Sequence, residues 1–174
     1  GVLNVRVRSG LVRDADARPV RVVGEVEDVT ERLRSAREIQ RMRTYLKNII
    51  DSMPSVLVGV DSEGRVTEWN LSAEHSSGIA SEQAVGQPFP KLFPQLAGQL
   101  ANVKEAIRRH QPIRTERLPV LKQGETRYAE VMVYPLLTDE DTGAVIRMDD
   151  ITDRIRIEQM MVQTEKMLSV GGLA

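Results

Sequence analysis

One six-residue junction occurs twice in this chain. Glu27-Asp28-Val29-Thr30-Glu31-Arg32 is matched by Asp149-Asp150-Ile151-Thr152-Asp153-Arg154. Each copy follows a strand-like run and leads into a helical one. The polar turns Arg13-Asp14-Ala15-Asp16 and Thr138-Asp139-Glu140-Asp141 correspond as well. The copies lie 122 residues apart, about one small domain plus a connecting helix. Residues 1–30 therefore read as the last two strands of a preceding copy of one domain type. Residues 31–53 read as a connecting helix, 54–152 as a complete domain and 153–174 as an output helix. Two strands alone cannot bury an apolar face, so the first segment implies a larger domain upstream. The chain begins with Gly1 and stops inside a helical pattern, as a piece of a longer protein would.

Periodicity fills in the elements. Residues 2–9 and 20–29 alternate as strands. Thr30 to Met53 contains no Gly or Pro, and Thr30 is the expected N-cap. Within this helix Ile39, Met42, Leu46, Ile49 and Met53 recur at spacings of three and four, a heptad seam. Ile157, Met160, Thr164 and Met167 repeat the spacing near the C-terminus. Each seam serves either packing on its own domain or a parallel coiled coil in a homodimer. Between the helices, strands are expected at residues 56–60 and 65–69, joined by the Asp61-Ser62-Glu63-Gly64 turn. A short helix at 71–77, capped by Asn70, and an irregular Pro-rich stretch follow. An amphipathic helix on Leu96, Leu100, Val103 and Ile107 comes next. Strands at 113–121, 127–137 and 144–150 complete an α+β arrangement: one five-stranded antiparallel sheet with helices gathered on one face.

Composition removes several function classes. With no cysteine, thiolate metal sites, disulfides and cysteine-adduct photochemistry are excluded. Basic and acidic residues nearly cancel, 24 against 25, so nothing points to nucleic acid. No apolar run is long enough to span a membrane. Gly171-Gly172 lacks the Lys and Ser/Thr of a phosphate-binding loop. No Ser/His/Asp or paired-carboxylate constellation stands at readable spacing, so no enzyme activity is expected of the fragment and there are no catalytic or metal-binding candidates.

The run Asp51-Ser52-Met53-Pro54, then Val60-Asp61-Ser62-Glu63-Gly64-Arg65-Val66-Thr67-Glu68-Trp69-Asn70, resembles the opening of a PAS domain. Ala84-Val85-Gly86-Gln87-Pro88 continues the pattern. Gly124-Glu125 with Arg127-Tyr128-Ala129-Glu130-Val131 is similar to the family's Gly-Glu-x-Arg-Trp-x-Glu-Val strand, and Asp150-Ile151-Thr152-Asp153-Arg154 to its exit motif. Leu71 and Ile79-Ala80 depart from the family's usual Pro and Gly-Tyr. The tail Glu165-Lys166-Met167-Leu168-Ser169-Val170-Gly171-Gly172-Leu173-Ala174 resembles the stretch preceding the phosphoacceptor histidine of sensor histidine kinases. The resemblance implies a cytoplasmic sensory module with tandem PAS domains, coupled to a kinase core in the same chain and through it to a response regulator. A cyclic-dinucleotide cyclase or transcription activator is the alternative output.

Site expectations follow from the family and the alternation together. A PAS pocket would lie between Val58, Val60, Ala129, Val131, Val133, Ile146 and Met148 on the sheet and Phe89, Leu92, Leu100, Val103 and Ile107 on the helical side. Either a small ligand occupies it or these residues fill the core completely. No cofactor is expected: haem needs an axial histidine, and His110 is accounted for by its place at a helix C-terminus. His75 lies in a polar run and is expected at the surface. Asp150, Thr152 and Arg154 are read either as a latch between sheet and output helix, with Asp150 paired to a cation such as Arg154, or as a plain cap. On the strand 127–137 the outward side chains Tyr128, Glu130, Met132 and Tyr134 suggest an apolar contact face.

Overall fold

The computed structural model describes residues 3–122, 124–137 and 142–171. The Thr138–Asp141 turn and the Gly172-Leu173-Ala174 end of the tail motif lie outside the described residues. The chain divides into two compact units, residues 1–49 and 50–174.

In the first unit β1 (Val5–Arg13) pairs antiparallel with β2 (Pro19–Asp28), and α1 (Thr30–Ser52) follows. Asp14 closes the hairpin, its Oδ1 accepting the N–H groups of Asp16 and Arg18 at 3.0 and 2.8 Å. The register places Val7 opposite Val26 and Leu11 opposite Val22 on one face, with Arg6 opposite Glu27 and Arg8 opposite Glu25 on the other. The hairpin is thus amphipathic, yet every residue of both strands is exposed.

The second unit contains β3 (Val56–Asp61), β4 (Val66–Trp69), α2 (Leu71–Ser77), the single turns α3 (Ser81–Ala84) and α4 (Phe89–Leu92), a 3-10 turn (Pro94–Leu96) and α5 (Gln99–Arg109). Then come β5 (Ile113–Lys122), β6 (Glu125–Leu137), β7 (Thr142–Asp150) and α6 (Thr152–Gly171). The sheet runs β4-β3-β7-β6-β5, antiparallel throughout. Asp61 shapes the first hairpin, accepting the N–H groups of Glu63 and Arg65, and Gly64 takes a φ of 82° that other residues resist.

The core lies between the sheet's inner face and α5. Val58, Val60, Val131, Val133 and Ile146 meet Val103 and Ala106, with Phe89, Phe93, Leu96 and Trp69 closing one side. Trp69 stacks on Phe93 with ring centroids 5.2 Å apart and donates its indole N–H to the Ile79 carbonyl. Leu96 belongs to the same apolar stripe as α5 but sits in the preceding 3-10 turn, because α5 begins only at Gln99 after Gly98. His110 takes a left-handed φ of 55° at the end of α5 and is exposed. Arg117 also has positive φ, 53°, where the β5–β6 register shifts between Thr115 and Leu118.

Candidate functional site

The β7–α6 junction is built around one carboxylate. Asp150 Oδ1 accepts both the backbone N–H (3.0 Å) and the hydroxyl (2.6 Å) of Thr152, while Oδ2 lies 3.0 Å from Arg127 Nη1. The Thr152 hydroxyl oxygen also accepts the Tyr128 N–H at 3.0 Å, and the Ile151 N–H donates to the Tyr128 carbonyl at 2.8 Å. Two neighbouring strands and the first turn of α6 therefore share one bonded knot. Burial opposes ionisation of Asp150, but the Thr152 hydroxyl and amide and then Arg127 outweigh it, holding the carboxyl below its ordinary range. Thr152 was expected to cap the helix with its own oxygen. Instead Asp150 satisfies the Thr152 N–H, which frees the Thr152 hydroxyl to hold the strand. Asp150 was expected to pair with a cation such as Arg154; the cation is Arg127, and Arg154 reaches Glu130 instead.

The first unit repeats the knot. The Thr30 N–H donates to Asp28 Oδ1 at 2.9 Å, the Thr30 hydroxyl oxygen accepts the Asn4 N–H at 2.7 Å, and the Val29 N–H donates to the Asn4 carbonyl at 2.9 Å. Asn4 plays the part of Tyr128, so Thr30, like Thr152, holds its strand rather than capping its helix. Val5 faces Asp28 as Ala129 faces Asp150, so the strand register agrees too. Thr30 and Thr152 are about equally buried, 6% and 5% exposed.

A second knot, at the start of the second unit, was legible in the sequence only as a helix cap. Asn70 is fully buried and uses every hydrogen-bonding position of its amide. Oδ1 accepts the N–H groups of Leu57 (3.0 Å) and Ala73 (2.9 Å), and Nδ2 donates to the carbonyls of Ile50 (3.2 Å) and Ser55 (2.9 Å). Asp51 accepts the Leu71 N–H, and the Ser72 hydroxyl donates to the Met53 carbonyl at 2.7 Å. Residues 50–53, at the start of the second unit, are thereby fastened to α2 and β3.

Three arginines converge on the outward face of the sheet. Glu130, 8% exposed, lies 2.6 Å from Arg114 Nη2, 3.3 Å from Arg154 Nη2 and 3.8 Å from Arg147 Nη2. The hydrogen bond from Arg114 does most to hold the Glu130 carboxyl below its ordinary range, against burial and with help from Arg154. Arg117, at the β5 irregularity, reaches Glu158 of α6 at 3.0 Å. The first two turns of α6 are thus tied to both β5 and β6. The expected apolar outer face is corrected by the same register: Arg114 and Arg147 flank Met132 across the strands, leaving a mixed surface.

The expected pocket residues sit mainly in the packed core. Val58, Val60, Phe89, Val103, Val131, Val133 and Ile146 are at most 2% exposed, and Leu92, Ile107 and Met148 pack against them half-buried. Leu100 is half-buried beside Gly64. A cleft of about 560 Å³ opens elsewhere, between α2, the 3-10 turn and the β5–β6–β7 end of the sheet. Of the expected residues, Ala129 and Met148 line it. Asp150 and Arg127 form part of its rim, and His75, although exposed, faces it. The seam residues Ile39, Met42, Leu46, Ile49 and Met53, and Ile157, Met160 and Met167, are all exposed in the single chain.

Residues 44–151, well over half of the chain, match the PAS fold family. The chain belongs to the PAS family. The solved PAS domain of a Colwellia psychrerythraea protein is 26% identical, with a TM-score of 0.51 over 66% of this chain and 98% of its own. The PAS domain of an HTR-like protein from Haloarcula marismortui, 16% identical, shows the same fold at a TM-score of 0.51. The signal transduction histidine-protein kinase AtoS of Escherichia coli is 25% identical over 95% of this chain, and the nitrogen regulation protein NtrY of Azorhizobium caulinodans 26% over 75%. The chain spans 28% of AtoS and 18% of NtrY, so it corresponds to a minor part of each. The PAS domain here thus carries a bonded knot at each end: Asn70 where α1 arrives and Asp150–Thr152 where α6 leaves. Among the described residues no helix is long and apolar enough to cross a membrane.

Proposed function

We propose that this chain is the sensory and signal-transmission section of a sensor histidine kinase, in which the PAS domain sets the rotation of α6 and thereby the autophosphorylation of a kinase core in the same chain. A response regulator is the downstream partner, and the cytoplasm is where the module works. The observation that carries this reading is the duplicated strand-to-helix knot, Asp28–Thr30 and Asp150–Thr152. A bond pattern linking two strands to the first turn of a helix is a mechanical coupling, because strand displacement cannot occur without moving the helix or breaking the knot. Its appearance once before α1 and once before α6 supports a serial arrangement: a preceding PAS-like domain ending at residue 30, α1, the complete domain, then α6. The exposed heptad seams support a homodimer held along α1 and α6, since apolar residues at such spacing bury their face against a second helix. The domain acts by binding and transmission and is itself no enzyme.

Register in α6 provides the test. With the chain joined to the kinase core of AtoS, inserting seven residues between Val162 and Gln163 preserves the helical face, whereas inserting two turns it by about 200°. Autophosphorylation is expected to survive the first insertion and to change several-fold with the second. Equal activity of both would refute transmission through the helix.

A further inference from the structure

The cleft combines an apolar wall, a polar wall and a guanidinium among its lining. Apolar side chains form the sheet-side wall: Val56, Val120, Ala129 and Met148. The opposite wall is Ser72, His75 and Ser76 of α2, with Gln95 of the 3-10 turn. The volume, about 560 Å³, falls in the range of small-molecule sites, roughly 300–1,000 Å³. Arg127 sits on the rim with its side chain 41% exposed. It spends one N–H on Asp150, and a guanidinium offers five in a planar fork suited to carboxylates. Asp150 does not cancel that offer. Its Oδ1 is taken by two donors from Thr152 and its Oδ2 meets Arg127 through one nitrogen, Nη1, which leaves the other edge of the guanidinium to a ligand.

We infer that this cleft binds a small amphipathic organic acid. Its carboxylate takes the free N–H edge of Arg127 with hydrogen bonds from the α2 side, and its hydrocarbon body lies against Val56, Val120 and Met148. An amine of the same shape would place a cation beside Arg127 with no unpaired acid to receive it. An alcohol would gain the apolar contact but forgo a charge-assisted pair, which is about twice as strong as a neutral hydrogen bond. The site borders the packed interior and does not depend on the output domain, so its test reads binding rather than kinase activity.

The probes are straight-chain monocarboxylates from butanoate to dodecanoate, with octylamine and octan-1-ol as controls, titrated into the full chain by calorimetry and amide NMR. At least one carboxylate should bind saturably, shifting the amide signals of residues 72–76 and 127–129. Arg127→Gln should weaken it tenfold or more, and Ser76→Trp, which fills the cleft while leaving Arg127 and Asp150 intact, should abolish it. Both variants are checked for folding by circular dichroism. The proposal is overturned if no carboxylate in the series saturates, if octylamine or octan-1-ol binds as well, or if folded Arg127→Gln and Ser76→Trp proteins both retain wild-type affinity.

Discussion

Replacing Asn70 separates the cap from the tether. In Asn70→Asp the carboxylate has nearly the same shape, so Oδ1 still accepts from Leu57 and Ala73, at 3.0 and 2.9 Å in the parent. The two donations to Ile50 and Ser55 are lost, and an anionic oxygen now faces their carbonyls. Each unmade hydrogen bond at a buried group costs about 1–3 kcal/mol, and the facing oxygens add repulsion. The expected loss is about 3–5 kcal/mol, taken mainly from the attachment of α1. Asn70→Ala loses the cap as well, which adds about 1 kcal/mol. A domain with a total stability of about 5–15 kcal/mol should survive either change in weakened form. Urea denaturation gives the global loss, and amide hydrogen exchange locates it. In Asn70→Asp, exchange should accelerate strongly at residues 50–53 while Leu57, β6 and β7 stay protected. A loss below about 1 kcal/mol, or acceleration spread evenly over the sheet, would refute the view that Asn70 is the tether.

Other consequences follow from the same bonds. Thr152→Val keeps shape but removes a hydroxyl that bonds Asp150 and Tyr128 together, so α6 should fray from its first turn at a cost of about 1–3 kcal/mol, read by hydrogen exchange at residues 152–158. Glu130 and Asp150 both have carboxyls held below their ordinary range, so their contribution is complete above the unfolded carboxylate pKa, about 4, and is lost as pH falls through the lower folded values. Denaturation midpoints should therefore be flat from neutrality to about pH 5 and then fall, and Glu130→Gln should make the fall shallower. Gly143→Ala would drive a methyl into the Val60 carbonyl oxygen across the β3–β7 ladder, costing about 1–3 kcal/mol in urea denaturation. Leu46→Lys with Ile49→Lys places charges in the α1 seam and should convert a dimer to a monomer by light scattering.

Much of this architecture was legible because it rests on short-range patterns. Strand alternation, the Asp61–Gly64 turn and the helix at Gln99–Arg109 follow from spacing and turn chemistry alone. The repeated junction was visible in residue types, but its bonds were not. Whether Thr152 caps its own helix or grips Tyr128 depends on where β6 lies, which sequence spacing does not encode. Arg127 and Arg154 were equally available to Asp150, and the β6–β7 register decided for Arg127. Asn70 announced itself only as a cap, because its partners Ile50 and Ser55 precede it by 20 and 15 residues. The cleft was missed for a related reason. Inward alternation identifies side chains that meet in the core, and these fill it, whereas the cleft forms where α2 and the 3-10 turn stand away from the sheet's end.

The central claim is that the Asp150–Thr152 knot couples the PAS domain to whatever α6 drives. The most direct measurement is autophosphorylation of the chain joined to the AtoS kinase core, comparing wild type with Asp150→Asn and Thr152→Val. Asp28→Asn serves as a matched control at the twin knot. Changes of several-fold in the α6 variants, with the dimer intact by light scattering, are predicted. Wild-type rates in both, despite hydrogen exchange showing a loosened first turn of α6, would contradict the account.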